Sequence, residues 1–144
     1  MNDMSRFKSI KPGDLLPERQ FEPDNVQLFL YNAALWNAHR IHFDYPYATE
    51  VEGYPGLVMA GPLLGDWLTQ SVIEWLGDDG KLASIEYSNR KASYIGETLR
   101  SGGRVLAIDI DRREVELELG IRNEADEVIA PGVAIARFHA GTAE

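Results

Sequence analysis

Residues 57–76 read LVMAGPLLGDWLTQSVIEWL and form the most hydrophobic helical stretch of the 144-residue chain. Gly61-Pro62 predicts a helix start, because a proline at the first helical position lacks only an N–H that would be unpaired there. The helix should run to about Leu76, after which two glycines and two aspartates stop it. Its few polar side chains are four residues apart and share one stripe: Asp66, Gln70 and Glu74. A helix this apolar must be wrapped on several sides by the rest of the chain.

The second half of the chain supplies strands that can wrap this helix. Apolar and polar residues alternate from Glu114 to Arg122, the pattern of a half-buried strand with one solvated face. Ala134 and Ala136 share a face of the last strand, where their small size would let a helix approach closely. A long helix followed by an antiparallel meander predicts an α+β fold, with an antiparallel sheet wrapped around a long central helix. Further strands are expected within 81–95, at 104–109 and at 128–138, with turns at 101–103, 111–113 and 123–126.

The first part of the chain is expected to be less regular. Residues 1–10 should form a loose N-terminal segment, and residues 19–22 a short strand. Asp24 or Asn25 can cap a helix that runs from 26 to 36. Apolar residues cover most of the surface of that helix, so we expect it to be largely buried.

Composition indicates one domain, spanning residues 1–144, and argues against several classes of partner. The net charge of −9 disfavours nucleic acid or an anionic membrane, since both require a basic surface. The absence of cysteine excludes a disulfide framework, a thiolate nucleophile and cysteine-bound zinc. The first residues lack the apolar core of a signal peptide, and no run reaches the roughly 18 apolar residues of a membrane span. These features predict a cytoplasmic protein.

The residues best suited to chemistry lie shortly before the central helix, in the run NAHRIHFD at 37–44. Imidazole is the side chain best suited to proton transfer near neutral pH, so His42 is a candidate general acid or base. The helix N-terminus at Gly61 offers unpaired N–H groups that can hold a negative oxygen. Together, a base and an oxyanion site suffice for chemistry beside a carbonyl. The alternative is that His42 is a surface or capping histidine.

Two neighbouring features admit both a structural and a functional interpretation. The loop that contains Tyr54 and Pro55 is rich in glycine, proline and tyrosine, and such loops either line pockets or simply pack down. His39, His42 and Asp44 are metal-ligand types, but His39 and His42 would point to opposite sides of an extended segment. No further ligand is evident in the sequence, so no metal site is expected.

The run YNAALWNAHRIHFD at 31–44, followed by EGYPGLVMAGPLL at 52–64, resembles the MaoC-like acyl-CoA dehydratases and hydratases. Within that family it is most similar to the itaconyl-CoA and mesaconyl-CoA hydratases. The resemblance covers residues 27–64, and the remainder of the chain is compatible with it. It implies a single hot-dog domain and an enzyme that adds or removes water across the C2–C3 bond of a short acyl-CoA thioester.

The resemblance also implies catalytic roles for individual residues. His42 matches the catalytic histidine of the family motif, approximately G-D-x-N-P-x-H, whereas Asn37 stands where the motif has its catalytic aspartate. An amide is not a base, but Asn37 can hold a water molecule. His39 would orient Asn37 or titrate itself. The backbone N–H near Gly61 would receive the thioester oxygen.

The resemblance implies that the substrate contacts the helix entrance and the loop before it. Met59 and Ala60 open the helix, although the family often has histidine in place of Ala60. Tyr54 and Pro55 would contact the substrate from the loop. Coenzyme A enters as part of the substrate, so no separate cofactor is implied. The basic residues available to hold its phosphates are Arg40, Arg90, Lys91 and Arg100.

Oligomeric state and catalytic competence have several open answers. Relatives commonly fuse two hot-dog units, whereas this chain has the length of one, so a homodimer or a heterodimer with another hot-dog chain is expected. Asn37 and Ala60 also fit a non-catalytic acyl-CoA-binding subunit of a hetero-oligomeric dehydratase. A hot-dog thioesterase would instead require a carboxylate in the pocket, for which the candidates are Glu50, Glu52 and Asp66.

Overall fold

The computed structural model describes residues 4–141. Helices α1, α2 and α3 span Met4–Ser9, Asn25–Ala34 and Gly61–Leu76. Strands β1 to β5 span Arg19–Phe21, Gly80–Tyr87, Leu99–Asp109, Glu114–Arg122 and Val128–Phe138. Short helical turns lie at Arg40–His42, Tyr47–Val51 and Gly77–Asp79. The last three strands follow one another as the predicted meander.

Within the described residues, the strands form one five-stranded antiparallel sheet in the order β1-β3-β4-β5-β2. Its inner face carries the alternate buried residues of β4 and β5, with Leu117 opposite Ala134 and Val115 opposite Ala136. α3 lies against this face and contacts β2, β3, β4 and β5. Both alanines are fully buried, because their small side chains let the helix approach the sheet closely. The sheet therefore wraps the central helix as predicted.

α3 begins and ends where the sequence predicts. Pro62 occupies its first turn, and Gly77 ends it with φ of 56°, a left-handed value that glycine adopts without strain. The polar stripe is exposed, as expected, but Ile73 is also 52% exposed, so the helix is not enclosed on that side. Neither α3 nor any other helix of the described residues is long and apolar enough to cross a membrane. The buried apolar residues of α3 are Leu63, Leu64, Trp67, Leu68, Val72 and Leu76.

The predicted turn at 101–103 is wrong, because Ser101, Gly102 and Gly103 lie inside β3 and pair with β4. A side chain at Gly103 would place its Cβ 2.6 Å from the carbonyl oxygen of Glu118. Glycine is needed there for the close approach of two strands. The strand region predicted within 81–95 is shorter in the structure, since β2 ends at Tyr87 and a loop follows.

The prediction of a loose N-terminal segment is wrong for residues 4–9, which form α1, while residues 1–3 lie outside the described part. Phe7 is buried, and its ring centroid lies 5.3 Å from that of Phe138. The Arg6 guanidinium donates to the Leu76 carbonyl at 2.9 Å and pairs with Asp79 at 2.6 Å. An apolar anchor and hydrogen bonds to the free carbonyl end of α3 therefore hold α1 in place.

The prediction that the second helix is largely buried is also wrong. α2 ends at Ala34, two residues before the predicted end, and its buried residues are Leu28 and Asn32. Trp36, just beyond the helix, is 94% exposed. An exposed apolar stripe on one face of a helix is typical of a surface that another chain covers. The stripe, called the α2 stripe below, consists of Val26, Phe29 and Leu30, which are 55–60% exposed.

Candidate active site

The segment that carries the candidate histidines is set by the way α2 ends. The N–H of Asn37 donates to the Asn32 carbonyl at 2.9 Å, the longer bond of a Schellman motif. This motif places Trp36 in the left-handed region at φ 56°, where glycine is more usual. The Asn37 Oδ1 then accepts a hydrogen bond from the His39 N–H at 3.1 Å. That bond turns the chain toward the short helix Arg40–His42.

His42 is 7% exposed, and its Nδ1 lies 2.7 Å from the carbonyl oxygen of Val58. Because a carbonyl only accepts hydrogen bonds, Nδ1 carries the proton, and the lone pair is left on Nε2. Burial lowers the pKa of His42 from its usual 6.5, against the opposing effect of the hydrogen bond to Val58. The imidazole is therefore neutral at pH 7 and can act as a base through Nε2.

One peptide group ties this imidazole to the opposite side of the site. Its carbonyl, from Val58, receives the His42 hydrogen bond, and its N–H, from Met59, donates to the Ser93 carbonyl at 2.9 Å. The Val58 N–H donates in turn to the Ile41 carbonyl at 3.0 Å. The segment that leads into α3 is therefore hydrogen-bonded on both sides, which fixes the histidine relative to the helix.

A pocket of about 260 Å³ opens beside His42 at the N-terminus of α3. The N–H of Gly61, the first residue of the helix, has no acceptor among the described residues. A Cβ at Gly61 would lie 2.2 Å from the Asn89 Nδ2, so a side chain at this position would require the Asn89 amide to move. The cavity therefore combines a base, which can move a proton, with a helix N-terminus, which can polarise a carbonyl. The lining includes His42, Met59, Gly61, Leu64, Asn89 and Ser93.

Of the predicted site residues, His42, Met59 and Gly61 line this pocket. Ala60 is fully buried and directly precedes α3. His39 is exposed, and its ring meets that of His42 edge-on, with 5.6 Å between centroids. Six predicted residues are not part of the lining, and their roles stay predictions: Asn37, His39, Arg40, Tyr54, Pro55 and Ala60.

Arg40 is engaged within its own loop. Its Nε and Nη2 donate to one carboxylate oxygen of Asp44 at 2.9 and 2.7 Å. Its guanidinium also lies over the Tyr47 ring, 4.2 Å from the centroid. The hydrogen bonds from Arg40 hold the pKa of Asp44 below its usual value. This arginine therefore already has a counter-charge.

The other predicted phosphate ligands differ in whether they have a carboxylate partner. Lys91 pairs with Glu127, and Arg100 pairs with Asp126 at 3.0 Å. Arg90 lines the pocket and has no carboxylate partner among the described residues. Of the four predicted phosphate ligands, Arg90 is therefore the cation with an unmatched charge at the site.

Sequence reasoning missed two polar residues that line the pocket, Asn89 and Ser93. Both lie after β2, in a stretch predicted to be strand. The amide of Asn89 covers Gly61, and Ser93 is 1% exposed with a hydroxyl that has no hydrogen-bond partner. Neither residue belongs to a motif. A small polar residue after a strand is too common a pattern to have located them.

The carboxylates that a thioesterase would need do not line the pocket. Glu52 instead accepts from the Tyr47 hydroxyl at 2.8 Å, and Asp66 accepts from the Tyr31 hydroxyl at 2.6 Å. Glu50 likewise lies outside the lining. Within residues 4–141, no group of three or more histidine or carboxylate side chains is placed to hold a metal ion.

Solved structures establish the class of fold. An (R)-hydratase from A. caviae involved in PHA biosynthesis matches with a TM-score of 0.84 at 15% identity, covering 92% of this chain and 99% of that chain. The HadBC (3R-hydroxyacyl-ACP dehydratase) complex from Mycobacterium tuberculosis matches with a TM-score of 0.70 at 15% identity, covering 89% and 98%. Likeness at these identities shows the fold alone, and it confirms the predicted hot-dog domain.

Sequence comparison then gives the family. The sequence model of the family hydroxyacyl-thioester dehydratase type 2 matches residues 2–95, so the chain belongs to this family. This match confirms the MaoC-like resemblance. The mesaconyl-C(4)-CoA hydratase of Chloroflexus aurantiacus is 56% identical over 46 residues, which are 32% of this chain and 16% of that protein. The mitochondrial hydroxyacyl-thioester dehydratase type 2 of Schizosaccharomyces pombe is 50% identical over 44 residues, 31% and 15% of the two chains. The matched segments span less than a fifth of either relative.

Proposed function

We propose that this chain is a hydro-lyase that reversibly adds water across the C2–C3 double bond of a short enoyl thioester. The observation that carries the proposal is the neutral, buried His42, whose tautomer is set by Val58 and which shares a pocket with the start of α3. Membership of a dehydratase family supports the same chemistry.

In the hydration direction, His42 Nε2 removes a proton from water while the water oxygen bonds to C3 of the substrate. The π electron pair moves through C2 onto the thioester oxygen, giving an enolate. The Gly61 N–H donates to this oxygen, and a donor of this kind stabilises the transition state by about 2.7–4 kcal/mol. The enolate then collapses, C2 takes the proton from His42, and the imidazole returns to its neutral form. One group serves both protons from one side of the substrate, so the addition is syn.

Asn37 and His39 support His42 in this proposal. The Asn37 Oδ1 already accepts from the His39 N–H, so Asn37 would hold the water through its NH₂ group. The same hydrogen bond shapes the turn that delivers His42 to the pocket. His39 contacts the His42 ring edge-on and helps to fix its orientation.

The proposed substrate is an acyl-CoA with a short acyl chain. The 56% identity shared with a mesaconyl-C(4)-CoA hydratase over 46 residues supports itaconyl-CoA or mesaconyl-CoA. Arg90 would meet a phosphate of coenzyme A, because it is the pocket cation without a carboxylate partner among the described residues. The mechanism uses no cofactor besides the coenzyme A of the substrate.

The working protein is proposed to be a homodimer or a heterodimer with another hot-dog chain. The α2 stripe exposes three large apolar side chains on one face, and Trp36 lies beside its end. β2 is an edge strand that pairs with β5 and leaves its other side open among the described residues. A second chain would cover either or both of these surfaces.

A second candidate function is a non-catalytic acyl-CoA-binding subunit. Asn37 stands where the family motif has aspartate, and its side-chain oxygen accepts a hydrogen bond from the His39 N–H. A partner chain would then supply the missing carboxylate. This alternative predicts that the isolated chain binds thioesters weakly and does not turn them over.

Hydration of crotonyl-CoA and mesaconyl-CoA, followed as loss of enoyl absorbance, tests the proposal. We expect turnover by the wild type, loss in His42→Ala and retention in His139→Ala, which removes an exposed histidine outside the pocket. Turnover that survives in His42→Ala would remove His42 from its role. A wild type inactive on both substrates would favour the subunit function.

A further inference from the structure

Three buried serines differ in how their hydroxyl groups are satisfied. Ser71 Oγ bonds to the Trp67 carbonyl and to Ser101 Oγ, both at 3.0 Å. Ser93 is as deeply buried, yet its Oγ has no hydrogen-bond partner among the described residues. A buried hydroxyl without a partner is unfavourable, because it gives up its hydrogen bonds to water and receives nothing in return. The Ser93 hydroxyl therefore requires a reason to be there.

The position of Ser93 supplies a reason. Ser93 lines the same pocket as His42, and its carbonyl accepts from the Met59 N–H at 2.9 Å. That N–H belongs to the peptide whose carbonyl, from Val58, holds the His42 Nδ1. A rigid planar group therefore separates Ser93 from His42 and fixes the two residues relative to each other.

We propose that the Ser93 hydroxyl positions the reacting water opposite His42, a role that rests on the proposed hydratase function. In hydration, the water gives one proton to His42 Nε2 and donates a hydrogen bond from its second O–H to Ser93 Oγ. Ser93 keeps its own proton throughout, while the O–C3 bond forms and the proton on His42 passes to C2. In dehydration, the same hydroxyl holds the C3 oxygen as its bond to carbon breaks.

Ser93 is better suited to this role than the other polar residues near the pocket. Asn37 does not line the pocket, and its side-chain oxygen already accepts a hydrogen bond from the His39 N–H. Asn89 covers Gly61, which is where the thioester oxygen would lie. A serine hydroxyl both donates and accepts, so it suits a water in hydration and a C3 hydroxyl in dehydration.

The test exploits an opposition between stability and rate. Ser93→Ala removes a hydroxyl without partners, so its melting temperature should equal or exceed that of the wild type. Its kcat for hydration of mesaconyl-CoA or crotonyl-CoA should fall about tenfold or more, with KM changed less than about threefold. Ser71→Ala is the matched control, since Ser71 lies ten residues further along α3, about 15 Å from Gly61. It should lose melting temperature and keep its kcat.

Each other outcome overturns the inference in an identifiable way. A Ser93→Ala variant with wild-type kcat shows that the hydroxyl does not act on the reaction, and the proposed function still stands. A raised KM at constant kcat assigns Ser93 to substrate binding instead of water positioning. A fall in kcat accompanied by a fall in melting temperature like that of Ser71→Ala assigns it a structural role. A wild type without hydratase activity refutes the proposed function, and this inference with it.

Discussion

His42 offers the sharpest test of the proposed chemistry, because its two ring nitrogens have separate tasks. Nδ1 donates a hydrogen bond to the carbonyl of Val58, a residue that is 7% exposed, and Nε2 is the proposed base. His42→Asn places an amide N–H near the position of Nδ1 and removes the base, whereas His42→Ala removes both. The pair therefore separates the structural contribution of the ring from its catalytic contribution.

The two variants should be equally inactive but differ in stability. General base catalysis raises the reaction rate about 10²–10⁴-fold, so both variants should lose about 3–5 kcal/mol of transition-state stabilisation. His42→Ala leaves the Val58 carbonyl unpaired in a buried place, which costs about 1–3 kcal/mol of unfolding free energy. His42→Asn keeps that hydrogen bond and should lose about 1 kcal/mol or less, from the smaller apolar contact. Denaturant melts and enoyl-CoA hydration at pH 7 measure the two quantities.

The pH dependence provides an independent check of the same residue. Burial lowers the pKa of His42, so kcat/KM of the wild type should be constant above pH 6.5 and fall with a midpoint below that value. A lowered pKa in the folded state also means that the unfolded chain binds more protons. The stabilising contribution is then complete above the unfolded pKa and declines as pH falls toward the folded pKa. His42→Asn should lack this decline, and turnover within tenfold of the wild type in His42→Asn would refute the assignment.

Three further predictions concern the residues around the site. Trp36→Gly should raise the unfolding free energy by about 1 kcal/mol, because Trp36 has a φ of 56°, which is strained for any residue with a Cβ. Trp36→Ala should not raise it, and equal changes in unfolding free energy for the two variants in denaturant melts would contradict the strain argument. Arg90→Ala should raise KM for acyl-CoA about tenfold at similar kcat, because the Arg90 charge has no carboxylate partner among the described residues, whereas Lys91→Ala should change KM less. A larger rise in KM for Lys91→Ala than for Arg90→Ala in steady-state kinetics would reject Arg90 as the phosphate ligand. Leu30→Glu should convert a dimer to monomers in sedimentation velocity, whereas Ile110→Glu, at an exposed turn residue outside the α2 stripe, should not. A dimer that survives Leu30→Glu excludes the α2 stripe as its interface.

The elements with strong local signals were predictable from the sequence. α3 is bounded by Gly61-Pro62 at one end and Gly77 at the other, and these residues act through their own backbone geometry. β4 was predictable because its period-two alternation reflects one buried and one solvated face. His42 and Gly61 could be identified because they lie within a short stretch that resembles a known motif.

Long-range contacts decided the rest, and no local pattern carries them. Gly103 sits in a strand because the Glu118 carbonyl lies close to it, although a glycine pair reads locally as a turn. α1 is ordered because Phe7 meets Phe138, which lies at the far end of the chain. α2 is apolar but exposed, because the sheet closes on α3 and leaves the α2 stripe outside the core.

The set of residues that form the site was likewise decided by the tertiary structure. Ser93 is distant in sequence from His42, and one backbone hydrogen bond from the Met59 N–H places Ser93 against the peptide that also holds His42. The sequence by itself determined the helix that forms the centre of the fold and the histidine that can act as a base. Only the folded chain decided which polar groups face that histidine, because burial and unmet hydrogen-bonding capacity exist only after distant segments pack together.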